Sequence, residues 1–185
     1  DTTSEQAVKL VLAKPNIFVS KRSGKYDVFK RDVDGKNETT LLSGTGTEQE
    51  DISILQNMNS DKVAFVSSRE GKRNKEGYLL SNLYIIESTT KSVSKIDDTE
   101  SEKIQLLGWI NDRLIFVQII SGPSATITNR QRIISYNEKD DSKTELVGAN
   151  YFNDVELING QIYYAPSGGL LYKISADGSG QSTIL

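Results

Sequence analysis

The same order of strand and turn signals returns four times along this chain, and that recurrence limits its fold more than any other feature. The clearest copy is Asn59 to Glu87, NSDKVAFVSSREGKRNKEGYLLSNLYIIE: a turn at Asn59, Ser60 and Asp61, an apolar β run from Val63 to Val66, a polar loop opened by Ser68, Arg69, Glu70 and Gly71, and a second β run from Leu83 to Ile86. Equivalent first runs begin at Ile17, Ala64, Ile115 and Tyr163, intervals of 47, 51 and 48 residues. Each is answered by a second run (Val28-Phe29, Leu83-Tyr84, Ile133-Ile134, Leu171-Tyr172) and, after a polar turn, by a short third (Thr40 to Leu42, Ser92 to Ile96, Thr144 to Val147, Ser182 to Leu185). A further run precedes each unit: Val8 to Leu12, Ile52 to Leu55, Ile104 to Leu107 and Val155 to Ile158.

Sixteen short strands in four sets of four, at a period of about 40 to 50 residues, are the pattern of a β-propeller. A single four-stranded blade cannot cover both its faces and must stack on neighbours. The expected fold is therefore all-β and β-propeller-type, with four blades of four antiparallel strands in a single domain over residues 1–185. The blades fall at about 7–43, 51–97, 103–148 and 154–185. Four blades closing on themselves as a small ring is the expected form, because an open arc would leave an apolar face in water. A part of a larger propeller and a dimer of half-rings are the alternatives.

Ser68-Arg69-Glu70-Gly71 followed by Asn82-Leu83-Tyr84-Ile85-Ile86, after Asp61-Lys62-Val63-Ala64-Phe65-Val66-Ser67, resembles the WD40-like repeat of TolB-type propellers, also found in the propeller domains of oligopeptidases. Blade one echoes it in Ser20, Arg22, Gly24, Asp27, Val28 and Phe29, and Trp109-Ile110-Asn111-Asp112 resembles the family's Trp-Ser-Pro-Asp turn. Blades three and four keep the strand pattern without the Ser-x-Arg signature. The resemblance implies an exported bacterial protein, placed in the periplasm or at the cell surface.

Several function classes are excluded or disfavoured by composition. The 22 basic and 25 acidic residues give a net charge of −3, with no basic face of the kind nucleic acid requires. The chain has no histidine and no cysteine, which removes Ser-His-Asp and Cys-His catalysis and the commonest transition-metal ligands. No apolar run approaches the roughly 18 residues of a membrane span, so this segment is not expected to insert into a bilayer. The N-terminal DTTSEQ has neither an initiator Met nor a signal peptide's apolar stretch, and the chain is expected to be trimmed.

Three fragments imitate functional motifs. Asp32-Val33-Asp34-Gly35 with Asn37-Glu38 looks like the opening of a calcium loop but lacks its Asp-x-Asp-x-Asp-Gly order, and Asp-Gly between β runs reads as a hairpin, as does Asp177-Gly178. Asn37-Glu38-Thr39 matches a glycosylation acceptor by chance. Asp97, Asp98, Glu100 and Glu102 read as a solvated acidic loop between blades. No cofactor, metal or catalytic residue is expected, and the chain is read as non-enzymatic.

Trp109, Tyr84, Tyr163, Tyr164 and Tyr172 lie on the strand pattern and are expected in the core. Tyr78, Tyr151 and Phe152 lie in loops, where no core role is required of them, and two of the longest loops, Arg69 to Ser81 and Ser121 to Gln131, share a face with Gly148 to Asp154. That face, with Arg69, Lys72, Arg73, Tyr78, Arg130, Tyr151 and Phe152, is the candidate partner-binding surface. The expected function is a non-catalytic binding or scaffolding module for a protein or cell-envelope partner, or for further copies of itself. The alternative is a propeller that gates or presents substrate to a hydrolase domain absent from this chain.

Overall fold

In a computed structural model, residues 13–49, 52–96, 101–120 and 129–184 are described. They form fifteen strands and no helix, in four antiparallel sheets taken up in sequence order. The first holds β1 (Asn16–Ser20), β2 (Asp27–Arg31) and β3 (Thr39–Leu42); the expected strand Val8 to Leu12 lies outside the described residues. The second holds β4 (Ser53–Gln56), β5 (Lys62–Ser67), β6 (Asn82–Glu87) and β7 (Val93–Lys95). The third holds β8 (Ser101–Ile110), β9 (Arg113–Ile120), β10 (Gln131–Asn137) and β11 (Ser142–Ala149), and the fourth β12 (Phe152–Ile158), β13 (Gln161–Pro166), β14 (Tyr172–Ser175) and β15 (Ser182–Thr183). Within each sheet every strand pairs with its neighbours in sequence, as in the blades of a propeller.

The turns follow their residue types. Asn159 and Gly160, both at positive φ (49° and 76°), join β12 to β13 in a two-residue turn whose twist matches that of the strands. The calcium-like segment is a hairpin turn: Gly35, at φ 83°, donates to the Asp32 carbonyl at 2.9 Å, and Asn37 Nδ2 donates to Asp32 Oδ2 at 2.7 Å.

Side-chain alternation along the middle strands builds three separate cores. Val63 and Phe65 of β5 point to the first sheet, meeting Val28 and Leu41, whereas Ala64 and Val66 point to the third, meeting Leu114, Phe116 and Tyr136. Ile115 and Val117 of β9 point the other way, to Val155, Ile162, Tyr164 and Ile174 of the fourth sheet. The middle strands of the second and third sheets, β5, β6, β9 and β10, are thus buried on both faces, which is why they read as nearly unbroken apolar runs. Each fully buried side chain of this size stabilises the fold by about 1.5–3 kcal/mol. Trp109 is half-buried against the core between the second and third sheets and donates its Nε1 hydrogen to the Leu55 carbonyl at 3.2 Å.

The expected closed ring does not form: among the described residues no core cluster joins the first sheet to the fourth, and the blades make an open arc, compatible with part of a larger propeller. Both end faces set charged groups beside their aromatic rings. On the first sheet the stacked rings of Phe18 and Phe29, 5.6 Å apart, lie under the guanidinium groups of Arg31 (4.9 Å) and Arg22 (4.0 Å) respectively. On the fourth sheet the outward row is Glu156, Tyr163 and Lys173, in direct register. Tyr163, expected in the core, is therefore only half-buried, on the outward face.

Candidate functional site

The hairpin connections between the middle strands of each blade, and the connections from blade to blade, emerge at the same end of the arc. In the second blade the connection is itself a small hairpin. Arg73 bridges Leu79, Asn74 N–H donates to the Tyr78 carbonyl at 2.9 Å, and Tyr78 N–H donates to Asn74 Oδ1 at 2.8 Å. Gly77, at φ 90°, makes the turn that a side chain would strain, and its carbonyl accepts from Arg73 Nη1 at 2.6 Å. Arg73 and Tyr78 are thus presented on an ordered scaffold, with Tyr78 66 % exposed.

The exit of that hairpin is fastened to the third blade, where Ser81 N–H donates to the carbonyl of buried Ser101 at 2.9 Å. Glu102 follows directly and accepts from Arg130 Nη2 at 2.9 Å. Phe152 N–H donates to Gln131 Oε1 at 2.8 Å, and the Tyr151 carbonyl accepts from Ser167 N–H at 2.8 Å, leaving the Tyr151 side chain 53 % exposed.

These contacts leave two adjoining hollows. One, of about 280 Å3, is lined by Gln49, Arg73, Gly77, Tyr78, Leu79 and Glu102. The other, of about 400 Å3, is lined by Glu102, Ile119, Arg130, Gln131, Asn150 and Tyr151. Glu102 belongs to both, so they form one groove crossing three blades. Among the described residues its polar groups are one carboxylate, two guanidiniums, two phenols and three carboxamides. Such a lining can hold a ligand through ion pairs, hydrogen bonds and ring contacts. Among the described residues no group of three or more metal-ligating side chains occurs.

Four of the expected surface residues, Arg73, Tyr78, Arg130 and Tyr151, therefore meet around Glu102. The other three are engaged elsewhere. Phe152 is not a loop residue: it opens β12, is 5 % exposed and packs edge-on against Tyr164 with ring centroids 6.0 Å apart, because its neighbour Tyr151 already occupies the outward position. The guanidinium of Arg69 lies 5.9 Å from the Tyr84 ring and donates to the Ser43 carbonyl at 3.3 Å, fastening the first blade to the second. Lys72 pairs with Glu70 at 3.1 Å. Residues 121–128 of the expected long loop, and Asp97, Asp98 and Glu100 of the acidic run, lie outside the described residues. Gln49 was not legible as a site residue; Asn150 lay within the expected Gly148 to Asp154 segment without being singled out, and Glu102 was read as part of a solvated acidic loop. Only the position of Glu102, at the start of a strand and beside a blade junction, carried a hint.

No protein-family model and no curated protein matches the chain. Solved structures do, at the level of the fold. The chain is similar to TolB from Acinetobacter baumannii (TM-score 0.58, 12 % identity, covering 92 % of this chain and 40 % of that one). It is also similar to the β-propeller domain of the trilobed protease from Pyrococcus furiosus, described as having an open velcro topology (0.58, 13 %, 92 % and 52 %). A third likeness is to oligogalacturonate lyase from Vibrio parahaemolyticus (0.55, 12 %, 93 % and 49 %). The chain spans about half the length of these proteins, and its architecture is that of TolB-like propellers.

Proposed function

We propose that this chain is a binding module, which holds a protein or cell-envelope partner through the groove between Tyr78 and Tyr151, outside the cytoplasm of a bacterium. The observation that carries the reading is the convergence of two exposed tyrosines and two arginines, from separate blades, on one groove. Exposed aromatics and arginines on a rigid frame are the residues in which binding energy concentrates. The resemblance of the blade-two motif to TolB-type repeats supports the extracytoplasmic placement. The likeness to a protease's propeller domain favours the second reading, in which the same groove presents chain to a hydrolase domain carried elsewhere.

Selection of a random-peptide phage library on the full chain tests the proposal. Enriched phage should bind the wild type and lose binding to the Tyr78→Ala/Tyr151→Ala variant. Enrichment of nothing that depends on either tyrosine would overturn the reading.

A further inference from the structure

We infer that the ligand of this groove is an uncharged, proline-rich peptide segment in the polyproline II conformation, its rings laid on Tyr78 and Tyr151 and its carbonyls taken by the side-chain donors of the lining. The inference rests on the binding reading above and specifies the conformation and chemistry of the ligand.

The shape of the lining selects among the ways a peptide can be held. A helix needs a continuous apolar furrow, and the only aliphatic side chains among the described lining residues are Leu79 and Ile119. An added β-strand needs a bare strand edge, but where β8 enters the groove it is paired with β9 on one side and bridged by Ser81, at Ser101, on the other. What the groove does present is two exposed phenol rings, Tyr78 in one hollow and Tyr151 in the other. Aromatic rings set along a groove are the surface on which polyproline II segments dock, since a proline ring packs flat against an aromatic face and the segment is already extended before it binds.

Hydrogen bonding points the same way. A polyproline II chain makes no internal hydrogen bonds, so its carbonyls are all left to accept, and each proline removes an N–H that would otherwise need an acceptor. The described lining is rich in donors. Gln131 uses its Oε1 on Phe152 N–H, which leaves its amide hydrogens to donate; Arg73 uses Nη1 on the Gly77 carbonyl, and a guanidinium has five donors and no acceptor. Gln49, Asn150 and both phenols add further donors, whereas Glu102, the one carboxylate among the described lining residues, already accepts from Arg130. Charge favours a neutral segment. Residues 69–76 carry +2 and Arg130 +1, against −3 for residues 48–51 and −4 for residues 97–102. An acidic ligand meets those carboxylates, a basic one meets Arg73 and Arg130 in the lining, and an uncharged one meets neither penalty.

The phage selection also reads the class of ligand. Sequences that depend on Tyr78 and Tyr151 should be poor in charged residues and enriched in proline at Pro-x-x-Pro spacing, which puts both rings on one side of a helix of about three residues per turn. One such peptide, synthesised, should bind the full chain with an affinity that changes less than about twofold between about 0.05 and 0.5 M salt. Replacing its prolines with alanine should weaken binding by about tenfold, because the peptide loses both its preset conformation and its rings. Tyr78→Phe/Tyr151→Phe, which keeps the aromatic faces and removes the hydroxyl donors, should bind more weakly than the wild type but more tightly than Tyr78→Ala/Tyr151→Ala. Asn150→Ala should weaken binding severalfold; unchanged thermal unfolding in these variants keeps the comparison on binding. Tyrosine-dependent sequences without proline, or prolines whose replacement changes nothing, would overturn the polyproline assignment while leaving the binding reading in place. Tyrosine-dependent sequences that are acidic or basic, with binding that falls as salt rises, would overturn the neutral assignment. Failure to enrich any tyrosine-dependent sequence would remove both readings together.

Discussion

Asp27, the first residue of β2, accepts the backbone N–H of Gly44 on Oδ1 at 2.7 Å and the hydroxyl of Ser23 on Oδ2 at 2.5 Å. Gln131, the first residue of β10, holds Phe152 N–H in the same way. In two of the four blades, then, a buried polar side chain at the start of the strand after the upper hairpin ties down the segment that leaves the blade. The close approach also explains Gly44, where a Cβ would meet the Tyr26 carbonyl oxygen at 2.7 Å.

Removing this tie should weaken the fold and change its response to acid. Asp27→Ala is expected to cost about 1–3 kcal/mol, the loss of a buried acceptor from paired donors. The Asp27 carboxyl is held below its ordinary range, chiefly by the Ser23 hydroxyl and then by Gly44 N–H, which donate to the ionised form. A folded pKa below the unfolded one means stability that is complete above the unfolded value, about 4, and lost as pH falls through the folded value. Urea midpoints should therefore drop more for the wild type than for Asp27→Asn between about pH 6 and pH 3, a range that spans the ordinary Asp pKa. Parallel lines would show that Asp27 does not carry the effect.

Glu70 provides a second, spectroscopic check. Its carboxylate accepts from Lys95 Nζ at 2.8 Å, Lys72 Nζ at 3.1 Å and the Tyr84 hydroxyl at 3.1 Å, and its pKa is lowered from 4.5 to about 2, with the Lys95 contact the largest cause. Carboxyl NMR titration should find Glu70 still ionised where other glutamates have protonated. Lys95→Ala should move it back toward 4.5, and by more than Lys72→Ala does. A larger movement in the Lys72 variant would reverse the assignment of the main partner.

At the opposite end of the arc, fully buried Asn57 donates through Nδ2 to the Asn111 carbonyl at 3.2 Å and to Glu138 Oε2 at 3.4 Å, while Lys62 Nζ donates to the Glu138 carbonyl at 3.0 Å. These bonds join the turns of the second and third blades. Asn57→Ala should cost about 1–3 kcal/mol. In a double-mutant cycle with Glu138→Ala the two losses should be non-additive by about 0.5 kcal/mol or more. Strict additivity would mean that the pair does not couple the blades.

Adjacent tyrosines test the open arc. Tyr164, 2 % exposed, faces the third blade and stacks on Tyr172 at 5.4 Å, whereas Tyr163 lies on the outward face between Glu156 and Lys173. Tyr164→Ala should cost about 3–5 kcal/mol, as large aromatic truncations in cores do. Tyr163→Ala should cost less than about 1 kcal/mol. Equal, large losses would mean that the outward face of the fourth blade is packed, as in a closed ring.

The alternation of these two residues shows where sequence reading stops. Tyr163 and Tyr164 carry the same β signal, and nothing in a period of two tells which side will be covered. In the second and third blades the question never arises, because both faces are buried and every residue from Val63 to Val66 or Leu114 to Val117 is core. In the end blades one face is left over. There the chain places charges and stacked arginines, which a linear reading takes for ordinary loop and strand polarity. Phe152 went astray for a related reason, since an aromatic beside a blade junction can turn outward like Tyr151 or inward against Tyr164, and only the packed neighbour decides.

By itself the sequence determined the strands, their grouping in fours and the positions of the turns, since these rest on local chemistry: β-branched and aromatic runs, Asn-Gly and Asp-Gly turns, and a repeat that needs neighbours to bury its faces. It also placed Arg73, Tyr78, Arg130 and Tyr151 on one face, because strand direction alternates strictly from one strand to the next. Tertiary structure alone decided that the arc stays open and that Glu102, at the start of the third blade, joins the two halves of the groove. Both depend on the angle at which one blade packs on the next, and that angle is set by many side chains acting together across interfaces that no local pattern encodes.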